Sequence, residues 1–438
     1  MTAAALPDSA RPAANSRSLV EQSLKRRYAA EARFRAYGIL AIATALAFLV
    51  ILFTSIIQRG YTSFFQSQFN LNVTLNKEVI DPSGTGDESD LLIADYPALI
   101  QEALVKALGI DPRSRTDVRL AGELLSANAD TAVRNYVLAN RDAIGTTVPF
   151  HVLAHGNVDS VVKAQFDRSI PEARRKLNDR QLGWIDQAVA SGLLAKRFNT
   201  GLFTYGASSQ PESAGIGVAL VGSLFMMLTV VLLAVPIGVA AALYLEEFAP
   251  RNRITDIIEV NINNLAAVPS IVFGILGLAV FINFMGLPRS ASLVGGLVLA
   301  LMTLPTIIIA TRAAIAAVPP SIREAALGVG ASKMQSIMHH VLPLAVPGIL
   351  TGTIIGLAKA LGETAPLLMI GMVAFVVEYP TTPLDPATAL PVQIFMWATS
   401  AERGFVERTS GATLILLAFL ACMNIIAVIL RRRFERRW

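Results

Sequence analysis

The stretch "PPSIREAALGVGASKMQSIMHHVLP", Pro319 to Pro343, decides how the chain folds. It is a charged, proline-bounded interval between two apolar runs, Ser290–Thr311 and Val341–Val377. Pro319 and Pro320 end the preceding helix, because proline has no N–H to give. Ser321 opens a short helix over "SIREAALGV", with Glu324 three residues later in capping-box spacing. Gly328 and Gly330 loosen its end. A second helix begins after Ser332, in "SKMQSIMHHV", and Pro343 stops or kinks it. Ala325 and Ala326 give the first helix a small face, suited to close docking in a partner's groove. Arg323 and Glu324 would fix its register there.

Outward from this loop, the composition is that of a membrane protein. Of 438 residues, 53% are hydrophobic and 16% charged, and the mean hydropathy is positive. Soluble domains carry more charge and less apolar content, and here the excess sits in long runs. Six of these are long enough to cross a bilayer: Gly38–Ile57, Ile216–Leu245, Val260–Pro288, Ser290–Thr311, Val341–Val377 and Thr409–Leu430. The first reads as a retained anchor rather than a cleaved signal peptide, since no small-residue cleavage site follows it. The fifth is long and broken enough to hold extra helical pieces. Cys422 is the single cysteine, so no disulfide forms within the chain.

The net charge of +5 matters less than its placement. Arg11, Arg17, Lys25, Arg26, Arg27, Arg33 and Arg35 precede the first run, and "RRRFERRW" follows the last. Basic clusters beside spans mark the cytoplasmic side, and this placement speaks against nucleic-acid binding. Six spans put both tails inside. The polar block at 59–214 then falls outside, in the periplasm, and both the "EEFAPRNR" loop and the loop at 319–343 fall inside. The block is too long for a loop and is expected to be a domain. "DLLIADYPALIQEALVKALGI" and "NDRQLGWIDQAVASGLL" read as helices, "NLNVTLNKEVID" as a strand and "DPSGTGDESD" as a loop.

The Glu-Ala-Ala-x3-Gly spacing and Leu342-Pro343 ending, set between two spans, resemble the EAA loop of ABC importer permeases. The resemblance implies docking on a cytoplasmic ATPase through Arg323, Glu324, Ala325, Ala326, Gly330, Leu342 and Pro343. His340 departs from the isoleucine frequent in the family two residues before the Leu-Pro. "ALYLEEFAPRNRITDIIEVNINNLAAVPSIVFGI", "TRAAIAAVPPSIREAALGVGASK" and "LAKALGETAPLLMIG" narrow the resemblance to PstA-type permeases of the phosphate importer, over Gly215 to the C-terminus. Gly362 to Leu368 is the most specific piece. The fold implied is an all-α membrane protein. It is a six-transmembrane-helix ABC importer permease with a mixed, mostly helical periplasmic insertion after the first span.

The divisions expected are a basic cytoplasmic tail at 1–36, a first transmembrane helix at 37–58, the periplasmic domain at 59–214, the permease core at 215–430 and a basic tail at 431–438. The partners implied are a second, PstC-like permease subunit, a PstB-like ATPase dimer, a PstS-like periplasmic phosphate-binding protein and the lipid bilayer. No G-x4-G-K-[ST] phosphate loop occurs. ATP and Mg therefore belong to the partner ATPase, no cofactor is expected on this chain, and it is not an enzyme. Transport of another oxyanion (molybdate, tungstate or sulfate) and a signalling or assembly role for the outer domain remain the alternatives.

Charges inside apolar runs each need a reason, because mid-membrane they cost about 2.5–3.5 kcal/mol on insertion scales. Arg312, Lys359 and Glu363 are the candidates, with Thr364 and Pro366 beside them, for a translocation pathway. Lys359 and Glu363 are four apart, so on one helix face they can pair, and pairing alone is the alternative to lining the path. Pro366 frees the carbonyl of Gly362, which the Thr364 hydroxyl could offset. Arg312 reads either as a snorkelling residue at the cytoplasmic end or as a pathway cation. Relatives carry an Arg-Thr-Thr-Glu run there and arginine at Lys359. Here the run is Arg312-Ala313-Ala314-Ile315, without the acid. His151 and His155 have helical metal-ligand spacing, but no third ligand joins them, so no metal is expected. Asn261, Asn263 and Asn264 read as caps, Trp397 as a membrane-interface anchor and Cys422 as packing.

Overall fold

The computed structural model of the protein describes residues 14–84 and 86–434. The chain divides into two compact units, Met1–Gln58 and Arg59–Trp438. Helix α1 (Ala14–Gly60), 47 residues long, lies in the first unit except for its last two residues. One helix runs through Arg26, Arg27, Arg33 and Arg35 into the apolar run at 37–58, so these basic residues of the tail are themselves helical. No proline or glycine interrupts it before Gly38. Ile39, Leu40, Phe48 and Ile51 on this helix are exposed. Arg11, Arg436 and Arg437, named above as tail charges, lie outside the described residues.

The second unit begins with the polar block, which is a mixed and mostly helical domain. Strands β1 (Phe65–Thr74), β2 (Thr147–Leu153) and β3 (Leu194–Phe198) form an antiparallel sheet in the order β2-β1-β3. Phe69, Leu71 and Val73 alternate along β1 and are buried, the two-residue period of a strand with one covered face. β1 starts earlier and stops sooner than "NLNVTLNKEVID" suggests, giving way to a short helix at Lys77–Ile80 that Asn76 caps. The Tyr96–Leu108 helix packs on β1, burying Leu99, Ile100, Leu104 and Val105 in the domain core. Asp95 accepts a hydrogen bond from the Ala98 N–H and splits this helix from Glu88–Ile93. Asn178 and Gln181 make a capping box on the Asp179–Ala190 helix.

The remainder is a helical bundle. Its helices are α2 (Gly217–Leu243), α3 (Arg253–Ala266), α4 (Ser270–Gly277), α5 (Ser292–Ala316), α6 (Pro320–Gly328), α7 (Lys333–Ser336), α8 (Leu342–Gly362), α9 (Ala365–Met369), α10 (Leu390–Ala398) and α11 (Gly404–Phe434). Among the described residues five helices are long and apolar enough to cross a membrane, or up to six if the bent pair of α3 and α4 counts as one. The bend is 99°, so Val260–Pro288 is not the straight span expected. Pro269 causes the break: it pushes Val268 out of helical geometry and is itself extended. No residue of α3 is fully buried, and the helix exposes Ile254, Ile257, Ile258 and Val260. Val341–Val377 holds more than one helical piece, as its length and proline suggested: α8 ends at Gly362 and α9 is a separate five-residue helix.

α5 is the spine of the bundle, packed on both α2 and α8. Its contact with α8 is made by small residues. A Cβ on Gly348 would come within 2.6 Å of the Ala314 Cβ, and one on Gly352 would overlap Ala310. Gly348, Gly352 and Gly356 repeat every four residues, so they line one face and let the two backbones approach, as membrane helices do where water drives no association. Gly274 does the same for α4 and α9: a Cβ there would sit 2.7 Å from the Pro366 Cα.

The polar block is fastened to the start of α11 by buried charges. The Lys163 ammonium is 2% exposed and lies 2.6 Å from Asp159 and 2.7 Å from Glu407. Gln66 and the buried Arg408 both donate to the Glu212 carbonyl. Removing one member of such a buried pair costs about 3–5 kcal/mol, because the other is left uncompensated. Trp397 is 4% exposed and stacks on Phe405 at 5.8 Å, so it packs in the interior rather than anchoring an interface.

Candidate functional site

The loop and Arg312 meet at one end of the bundle, whereas Lys359 and Glu363 lie at the other end of α8. α6 begins at Pro320, after an extended Pro319, and no side chain caps it. The capping box expected from Ser321 and Glu324 is therefore absent: Ser321 already lies in the first turn, where its hydroxyl has no N–H ahead to accept from. The box forms one helix later, at Ser332 and Gln335. Gly330, at φ +88°, closes α6. Its N–H reaches the Leu327 carbonyl and the Ala331 N–H reaches that of Ala326, a left-handed C-terminal cap that a side chain would strain. Pro343 does not stop the second helix. A wider π-helical turn at Ile337–Val341 runs into α8, with Pro343 in its first turn. The looser turn accommodates the missing N–H.

Side-chain placement divides the loop residues. Glu324, Ala325 and Leu327 are exposed and Val329 is 86% exposed, whereas Ala326 is buried. Of the two alanines expected to share a small exposed face, only Ala325 is exposed, because Ala326 turns inward. Glu324 forms no ion pair among the described residues, which leaves its carboxylate open. Leu342 and Pro343 are half-buried at the head of α8.

Arg323 also turns inward, onto groups of this chain. Its Nε and Nη2 donate to Glu247 Oε1 at 2.9 and 2.6 Å, Nη1 donates to the Val318 carbonyl at 2.7 Å and Nη2 to the Ile315 carbonyl at 3.0 Å. Those carbonyls lie at and just beyond the C-terminal end of α5, where a cation is favoured.

Arg312, one turn before the end of α5, is 24% exposed and bound twice. Its Nε lies 3.2 Å from Glu246 Oε2 and its Nη2 2.7 Å from Glu259 Oε1 on α3. The acid missing from the local run is therefore supplied by two other elements. One arginine facing two carboxylates carries no surplus positive charge toward an anion.

Lys359 and Glu363 do not share a helix face. α8 ends at Gly362, and Glu363 follows in an extended conformation, so the four-residue spacing no longer implies stacking. Lys359 is exposed on the last turn of α8 and forms no ion pair among the described residues. Pro366 is not a kink inside a helix either. It lies in the first turn of α9, where a missing N–H costs nothing, and the Thr364 hydroxyl makes no capping bond.

The remaining candidates are settled locally. His151 lies on β2, 2.6 Å from Asn70 Oδ1, and His155 accepts from the Asn157 N–H. No group of three metal-ligating side chains occurs among the described residues. Burial and the nearby Arg197 lower the His151 pKa. Asn261 donates to the Ile257 carbonyl within α3, while the cap of that helix is Asn252. Asn263 and Asn264 are exposed. Cys422 is exposed on α11 rather than packed. Glu246, Glu247 and Glu259 are the functional candidates that sequence reasoning missed. They stand 53 to 76 residues from their arginines, and no local pattern links them.

The family of binding-protein-dependent transport system inner membrane components matches residues 234–438. A domain of unknown function, DUF3333, matches residues 21–172. The chain is 33% identical over 229 residues to the phosphate transport system permease protein PstA 1 of Mycobacterium tuberculosis, covering 52% of this chain and 74% of that protein. It is 32% identical over 188 residues to the probable ABC transporter permease protein YqgI of Bacillus subtilis, covering 43% of this chain and 63% of that one. A solved structure of the MetNI methionine ABC transporter aligns with 51% of this chain and 95% of its own, at 17% identity and a TM-score of 0.38. On the sequence relationship, the chain belongs to the binding-protein-dependent transport permeases, as a PstA-like ABC importer permease subunit.

Proposed function

We propose that this permease subunit carries inorganic phosphate from the periplasm to the cytoplasm by alternating access, driven by an ATPase docked on the loop at 319–343. The observation that carries the reading is the exposed surface of α6. Glu324, Ala325, Leu327 and Val329 face outward on a chain related to phosphate transport permeases. An exposed apolar patch rimmed by a carboxylate is what a docking surface needs. Counting the bent pair of α3 and α4 as one crossing gives six spans. Six spans bring both basic ends to the cytoplasm, leave residues 59–214 as a periplasmic domain and leave 215–430 as the permease core.

In this reading Lys359, exposed and without an ion-pair partner among the described residues, is the pathway cation. Arg312 is held by its two carboxylates and shapes the path without presenting charge. Glu363, Thr364 and Pro366 form the break at which α8 gives way to α9 inside the bundle. A second permease, a pair of ATPase subunits and a phosphate-binding protein complete the assembly. Uptake in a strain lacking this chain tests the substrate. High-affinity phosphate uptake is lost and restored by the wild-type gene. Unchanged phosphate uptake with loss of molybdate, tungstate or sulfate uptake would assign the other oxyanion.

A further inference from the structure

The π-helical turn Tyr244–Phe248, which continues α2, holds three cations with three consecutive residues. Glu246 pairs with Arg312 of α5. Glu247 takes Arg323 of α6 at 2.6 Å. Phe248 lies under the ammonium of Lys333 of α7, 5.1 Å from its ring centroid. Consecutive residues of a helical turn fan out around its axis, so one turn reaches three elements that surround it. Turns of this wider kind concentrate at functional positions in helices.

The three cations come from three successive elements of the chain: the end of α5, the outward-facing helix α6 and the start of the helix that continues into α8. Glu247 is 9% exposed at its side chain, so its pair with Arg323 is shielded. Arg323 also grips carbonyls at and just beyond the end of α5. Arg312 is held from the far side by Glu259 of α3, which extends the linkage to the bent pair.

We propose that Glu246, Glu247 and Phe248 form a clasp that transmits displacement of the outward-facing loop to α5 and α3. Arg323 and Glu247 then act as positioning residues that couple ATP hydrolysis to transport. The proposal rests on the functional reading above. A rigid-body shift of α6 moves Arg323. Glu247 follows through its paired contact. Because Glu246 is the adjacent residue, the same backbone turn draws on Arg312. The clasp needs no ligand and leaves Glu324 free for the partner.

The test uses the assembled complex, purified through a tag on this chain and reconstituted into vesicles, with phosphate uptake and ATP hydrolysis measured on the same sample. For Glu247→Gln and for Phe248→Leu we expect an ATPase that co-purifies and still turns over, with phosphate uptake per ATP reduced about tenfold, within the usual range of coupling between sites. The exchange Glu247→Arg with Arg323→Glu restores part of that ratio. An unchanged uptake-to-hydrolysis ratio in both single variants overturns the clasp, as does loss of the ATPase from the complex, which makes the turn a folding or docking element. A wild-type complex that hydrolyses ATP without moving phosphate contradicts the functional reading instead, and the two failures are thereby separate.

Discussion

Glu324 and Lys359 are the two exposed charges on which the account turns. Glu324 stands on α6 without an ion-pair partner among the described residues, so charge reversal changes the docking surface and leaves the chain's own contacts intact. Glu324→Lys is expected to reduce the ATPase recovered with the chain at least about tenfold, since like charges across an interface cost several kcal/mol. The amount of permease in the membrane stays the same. Quantitative co-purification reads this, and normal recovery of the ATPase contradicts it. Lys359→Ala should lower phosphate uptake roughly tenfold, about 1.4 kcal/mol of barrier, with assembly unchanged. Uptake at the wild-type rate would assign Lys359 to packing. The spacing of Lys359 and Glu363 made a pair plausible in the sequence, yet the helix ends between them. Arg312 shows the opposite case. Its acids are invisible locally because Glu246 and Glu259 come from elements 66 and 53 residues away.

At the scale of elements, apolar length was legible and breaks were not. The runs that became α2, α5 and α11 could be read from hydropathy alone, because a helix that satisfies its own backbone needs only apolar side chains to enter lipid. The bend before α4 was marked by Pro269, but hydropathy continued through it and masked the boundary. The small-residue face of α8 also escaped notice, since glycine reads as neutral in an apolar run. Gly352→Leu tests that face. It drives a side chain into Ala310 and should destabilise the α5–α8 contact by about 1–3 kcal/mol. The measurement is the thermal midpoint in detergent, and an unchanged midpoint would show that the helices do not depend on close approach.

The turn before α10 is pH-sensitive. Asp385 accepts hydrogen bonds from the Thr381 hydroxyl and from the Thr381 and Thr382 amides. These bonds, the Thr381 hydroxyl foremost, lower its pKa to about 2. The ordinary carboxylate value is about 3.9. The group stabilises the turn fully above that value, and the stabilisation is lost as pH falls toward about 2. Hydrogen exchange at Thr381 and Thr382 should quicken, beyond the intrinsic rate, only across that acidic window. Protection that changes between neutral pH and the carboxylate range would contradict the assignment.

Across the whole molecule, residues 59–434 form one compact unit in which the polar block and the helical bundle share buried charges. The sequence made the block's domain character clear, through its balanced charge and amphipathic helices. It could not show that Lys163 reaches Glu407, 244 residues away. The family signature at Gly362–Leu368 and the loop at 319–343 were readable because their residue types are tied to local backbone geometry. The clasp was not, because it exists only once α2, α5, α6 and α7 are assembled. The central claim is that the assembled permease moves phosphate at the expense of ATP. The most direct measurement is accumulation of radiolabelled phosphate in vesicles that hold the purified complex, with and without ATP on the cytoplasmic face. The account predicts ATP-dependent accumulation that Glu324→Lys abolishes. Accumulation that is absent, independent of ATP or unaffected by Glu324→Lys would contradict it.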